Sequence, residues 1–270
     1  MNDEQRKRLA DKSGDSNNAR PPKYEVPLIR FDGNTGKFKK VTKNKDGENV
    51  DEALTKPLEF VVLKKRRLLS SYSKKLSYFT NEHNNTNDKL MLFKFDGSVS
   101  LQDTGFTDEL RAKYQTLKTH EVVYILMDGE VCKMEIKGGS LGGYYDYQKA
   151  LKSEEKHSFE VLTIVDSAKA ESEGGFDYFK MTFDFKPLNV DFDTLETKID
   201  EVAKACEESD NYTKQKLNEK SRGSVGSVNG DTTVNGLSPE QVEKIQSARQ
   251  AEKDYQNYGK GDSEDSDIPF

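Results

Sequence analysis

No stretch of the 270 residues offers the run of ~18–20 apolar positions that a membrane-spanning helix needs. Met1 to Arg20 is polar throughout and lacks the apolar centre of a secretory signal. Cysteine and histidine are scarce. Cys132 and Cys206 stand far apart, and His83, His120 and His157 are scattered, so no zinc or iron–sulfur spacing exists. Both cysteines are expected as free thiols of a reducing cytoplasm. A Walker loop, a G-x-S-x-G elbow and an H-E-x-x-H helix are missing, as is a convergent carboxylate set of the kind nucleases use. Neither catalysis, a cofactor nor a metal is expected. Apolar residues are also few: counted with glycine and without tyrosine they reach about 36%, against about 45–50% in ordinary globular chains. Part of the chain is therefore expected to be solvated tail or linker.

What is present is unevenly charged. The net charge is −6, yet Arg20 to Thr80 carries 15 Lys or Arg against 7 Asp or Glu, a net of +8. Gly261 to Phe270 holds four acids and no base. Composition divides the chain into a disordered segment (1–20), a domain (21–190) and a helix (191–220) with Leu195, Ile199, Val202 and Cys206 on one stripe. There follow a Gly/Ser/Asn/Thr linker (221–237), a second helix (238–258) opened by a capping box at Ser238, Pro239 and Gln241, and an acidic tail (259–270).

Within the domain, Lys39 to Asp51 is expected as a polar loop. Leu58 to Leu69 reads as a strand, with Phe60, Val61, Val62 and Leu63 apolar on both faces. Thr107 is expected to cap a helix ending near Lys118. Val122 to Met127 and Val131 to Lys137 read as a hairpin around Asp128-Gly129. Gly138, Gly139 and Ser140 lead into a helix from about Leu141 to Lys152. Strands at Phe159 to Val165 and Tyr178 to Phe185 flank an acidic loop, Asp166 to Gly175. The order strand, strand, strand, helix, strand, strand is that of an OB-like five-stranded β-barrel, so the fold class is α+β with an insertion near 70–120. Another small α+β meander is the alternative.

Single-stranded nucleic acid needs cations for its phosphates and flat rings for its bases along one track. Lys64, Lys65, Arg66 and Arg67 are consecutive, and Tyr72, Lys74, Lys75, Tyr78 and Phe79 follow closely. Tyr144 and Tyr147 are further stacking candidates at the start of the helix from about Leu141, with Tyr145 expected in the core. Gly138, Gly139 and Ser140 could present backbone donors to a phosphate, or be only a tight strand-to-helix turn.

The chain closes Asp262, Ser263, Glu264, Asp265, Ser266, Asp267, Ile268, Pro269, Phe270. An aromatic anchor on an acidic string, stiffened by a proline, suits docking to a basic, apolar pocket on a partner. This stretch closely resembles the C-terminal tip of bacterial single-stranded DNA-binding proteins. The resemblance implies that Asp265, Asp267, Ile268, Pro269 and Phe270 recruit replication, recombination and repair proteins rather than touch DNA. Val122 to Phe185 looks similar, at the level of pattern, to single-stranded DNA-binding proteins carried by bacteriophages. The implied expectation is a non-enzymatic protein that coats single-stranded DNA in a bacterial or phage-infected cytoplasm, with no membrane association. An adaptor or decoy that occupies replication partners through the tail without binding DNA is the alternative, and a tail-tethered nuclease or annealing enzyme a further one.

Overall fold

A computed structural model describes residues 25–72, 76–84, 87–172, 175–189 and 192–223. These carry eleven strands and three helices in an α+β arrangement dominated by one large, mostly antiparallel sheet. The order is β3 (Asn49–Leu54), β2 (Lys37–Lys43), β1 (Leu28–Asp32), β9 (Glu130–Ile136), β8 (Lys118–Met127), β4 (Leu58–Ser71), β5 (Ser77–Thr80), β6 (Leu90–Phe95), β7 (Val99–Gly105). The β1–β9 pair alone in this series is parallel. β10 (Val161–Glu171) pairs β11 (Asp177–Pro187) and also β4.

β4 is the hub. Its segment from Val61 to Ser70 pairs β8, with a register shift between Val62 and Lys64. Its first three residues, Leu58 to Phe60, pair β10 instead. The change of partner falls between Phe60 and Val61, just before this irregularity. β4 has apolar cores on both faces, so Phe60, Val61, Val62 and Leu63 are all buried. The larger core contains Phe60, Val62, Val123, Met134 and Met181, closed by Tyr144, Tyr147 and Leu151 of α2 (Ser140–Ser153). On the opposite face Val61, Leu68, Val122 and Tyr124 meet Leu195, Val202 and Cys206 of α3 (Phe192–Gly223). A third cluster joins Leu69 to Leu90, Leu92 and Leu110, the last from α1 (Thr107–Lys113). Cys132 and Cys206 are buried free thiols in different cores.

The hairpin at Asp128-Gly129 forms as its sequence dictates, with φ of 52° and 79° at the two turn residues. Elsewhere the structure corrects the sequence reading. Lys39 to Asp51 is no loop: it lies largely in β2 and β3, joined by a turn in which Asn44 Oδ1 accepts from the backbone of Asp46 and Glu48. Only Phe38 and Val41 are buried in β2 and nothing in β3, so backbone ladders hold what side-chain pattern did not announce. The insertion near 70–120 contains β5, β6, β7 and α1. Phe106, not Thr107, caps α1, and its N–H donates to Glu109 Oε2 at 2.9 Å. That helix stops at Lys113, and Lys118 begins β8. The expected acidic loop 166–175 is largely strand, because β10 and β11 stay paired out to Glu171 with Asp177. α3 runs past the boundary expected at 220 to Gly223. The segment 1–20, most of the 221–237 linker, the helix 238–258 and the acidic tail lie outside the described residues.

Candidate nucleic-acid interface

Successive residues of a strand point to opposite faces, so four consecutive cations cannot share one surface. Lys65 faces α2 and donates to Gln148 Oε1 at 2.7 Å. Burial lowers its pKa, and the charge of Arg67 adds to this against the pull of Glu121. Arg67 Nε donates to Glu121 Oε1 at 2.8 Å, and the Tyr145 hydroxyl donates to the same oxygen at 3.2 Å. Arg66 turns the other way. At 2% exposure it lies beneath α3, where it donates to both carboxylate oxygens of Asp210 and to the Glu82 carbonyl. Its expected role on a solvent-facing track does not survive this placement. Around it Glu82 accepts from Lys133 Nζ at 2.8 Å and from the Tyr124 hydroxyl at 2.7 Å.

The tyrosines of α2 exchange places with expectation. Tyr144, Tyr147 and Leu151 follow an i, i+3, i+7 spacing and form the buried stripe. Tyr147 shares a 2.7 Å hydrogen bond with Thr163, and Tyr144 meets Phe183 edge-on. Neither can stack on a base while the helix is seated. Tyr145, expected in the core, is 39% exposed. The Gly-Gly-Ser turn is structural: a side chain at Gly139 would collide with the Tyr178 ring, and the Ser140 hydroxyl accepts from Met181 N at 2.9 Å.

The other candidates scatter. Tyr72 is 60% exposed, with Lys137 Nζ 5.3 Å from its ring centroid. Tyr78 packs on Tyr114, and Phe79 stacks on Phe93, both within the insertion. Lys74, Lys75, Asp265, Asp267, Ile268, Pro269 and Phe270 lie outside the described residues. Among the described residues no group of three or more His, Cys, Asp or Glu is placed to hold a metal ion.

A cationic cleft gathers residues that the sequence did not single out as a set. It is an open hollow of about 730 Å³ between β4, the end of α2 and the turn that follows, lined by Lys64, Lys65, Lys152, Glu155 and Lys156, with Lys156 Nζ paired to Glu154 Oε2 at 2.6 Å. His157 and Phe159 line its far side with rings parallel to within 3° and centroids 5.2 Å apart. Phe159 is 38% exposed. α2 meets β4 at Gln148 with Lys65, and Tyr145 shares Glu121 with Arg67. The lysines at 149, 152 and 156 and the His-x-Phe at 157–159 were the available signal. They fall in the last turn of α2 and the turn that follows it. From Lys65 to Tyr72 the strand advances seven residues, about 23 Å. No protein-family model, no curated protein and no solved structure matches the chain.

Proposed function

We propose that this protein binds single-stranded DNA without sequence readout along most of its track, coating and protecting it during replication, recombination or repair. The observation that carries the reading is the lysine cleft with its stacked His157–Phe159 platform. Lys65, Lys152 and Lys156, the last paired with Glu154, offer ammonium groups to phosphates, and an exposed ring gives an unstacked base a surface. The pairing of β4 with both β8 and β10, and the order β4, β8, β9, α2, β10, β11, support an OB-like core, a fold that commonly binds oligonucleotides. The acidic tip ending in Ile268, Pro269 and Phe270 is assigned to recruitment of partner enzymes, and no catalytic role is assigned to the chain.

An oligonucleotide titration across salt concentrations tests this. Neutralisation of about five phosphates gives a log K against log salt slope near −3.5. Replacing Lys65, Lys152 and Lys156 together by Ala shallows that slope by about 2. Melting temperature should change little, since partly exposed charges contribute little to stability. A flat salt response, or equal affinity for duplex, overturns the reading. A chain that binds partners through its tail but no DNA is then the adaptor.

A further inference from the structure

The parallel ladder between β1 and β9 is only two residues long, Leu28 with Lys133 and Ile29 with Met134. Beyond it the strands part. β1 continues against β2, and β9 continues against β8 to Ile136. The gap is a pocket of about 320 Å³, with Arg30 and Phe31 on one wall, Glu135 and Lys137 on the other, and Tyr72 and Met181 completing it. Mostly apolar and aromatic walls with a few polar groups are the mark of a small-ligand site, and this volume is at the small end of that class.

Its polar groups are specific in kind. Arg30 and Lys137 are cations, and Lys137 stands over the Tyr72 ring. Between them Glu135 is 24% exposed, with His120 Nδ1 3.9 Å from its Oε2. Burial alone would raise the Glu135 pKa; the contact with His120 and the charges of Lys133 and Lys137 outweigh it and hold the carboxyl low. An ionised carboxylate only accepts hydrogen bonds. Thymine offers it one N–H flanked by two carbonyls, and cytosine and adenine offer an amino group beside a ring acceptor. Guanine alone offers two adjacent donors, N1–H and N2–H, to match two carboxylate oxygens.

We infer that this gap between β1 and β9 is a base-specific subsite that takes one guanine from a bound single strand, Glu135 accepting from its Watson–Crick edge, Tyr72 offering its ring, and Arg30 and Lys137 meeting the adjoining phosphates. The inference rests on the single-stranded DNA reading. It adds sequence preference at one position to a track that otherwise reads none.

The test uses the full chain and three oligonucleotides: all-thymine, the same with one central guanine, and the same with inosine there, which keeps N1–H and lacks the N2 amine. Fluorescence anisotropy should give about tenfold tighter binding of the guanine oligonucleotide, the order that a bidentate base contact contributes. Inosine should lose most of that gain. In Glu135→Gln the guanine-to-thymine ratio should collapse toward one. The inosine comparison needs no variant, so a misfolded Glu135→Gln leaves the inference testable. Equal affinity for all three oligonucleotides overturns the subsite and leaves single-stranded DNA binding standing. Binding to none of them overturns the functional reading itself.

Discussion

Asp210→Ala should be among the more damaging single changes on α3, and the reason lies beneath the helix. Leu195, Ile199, Val202 and Cys206 continue along the same stripe to Asp210, which meets Arg66 through both oxygens. The Arg66 side chain is 1% exposed and that of Asp210 25%. Removing the acid strands a buried guanidinium, and breaking such a pair costs about 3–5 kcal/mol. The low end applies here. The Glu82 carbonyl still accepts from Arg66 at 2.6 Å, and a Glu82 oxygen lies 4.0 Å from its Nε. About 3 kcal/mol corresponds to a fall of roughly 6–12 °C in melting temperature for a domain of this size. Arg66→Met should cost clearly less. It removes the charge and keeps the bulk, Asp210 can turn to water, and Glu82 keeps Lys133. The double variant should therefore melt above Asp210→Ala alone. Thermal unfolding followed by circular dichroism reads all four proteins. If Asp210→Ala melts like the parent, or the double variant falls below both singles, α3 is not latched through this pair.

On α2, Tyr144→Ala should cost about 3–4 kcal/mol, against about 1 kcal/mol or less for Tyr145→Ala, which loses one partly exposed hydrogen bond. Tyr144→Phe should stabilise by about 1 kcal/mol, since its buried hydroxyl has no partner among the described residues; denaturant midpoints decide all three. Glu135 has a folded pKa below its ordinary 4.5, so its contribution is present above that pH and is lost as pH falls through the folded value. Melts from pH 7 to 3 should show a shallower acid decline in Glu135→Gln, and parallel curves would refute the assignment. Deleting Asp265 to Phe270 should abolish partner capture and leave single-stranded DNA affinity unchanged, or raised at low salt with the gain fading as salt screens it. Weaker DNA binding on deletion would place the tail in the DNA site.

The parts of the fold that could be read in advance are those whose side chains carry the pattern. The Asp128-Gly129 hairpin, the doubly buried start of β4 and the apolar stripe of α3 all bury the residues that announce them. β3 was illegible because none of its residues is buried, and the far halves of β10 and β11 because they are held to each other by backbone while their side chains face solvent in part. The site was half legible. Lys65 lies on the face where the proposed track runs, but strand alternation turns Lys64 and Arg66 to the opposite face, and helical spacing buries Tyr144 and Tyr147 in place of Tyr145. An acid on the α3 stripe, Asp210, was the visible sign that a base had to lie beneath it. Lys152, Lys156 and Phe159 are brought to one cleft with Lys65 only by the packing of α2, which no local pattern encodes.

The two ladders on β4 also order how such a chain assembles. Closing β4 onto β10 joins residues as distant as Leu58 and Val165, and onto β8 residues as distant as Val61 and Leu126. Pairings across such separations are slow, because closure entropy must be met before any contact rewards it. The built segment between β4 and β8 works against that delay. β5, β6 and β7 pair only with sequence neighbours, and β5 docks on β4 at Ser70 and Ser71. Each local hairpin that forms first shortens the free chain left to close, although closure cost grows only with the logarithm of loop length. The insertion is thus expected to act as a kinetic splint, drawing Lys118 toward Ser70 before the β4–β8 ladder zips. The β10–β4 seam, which spans the greater separation, is expected to follow the β4–β8 and β8–β9 ladders that shorten it.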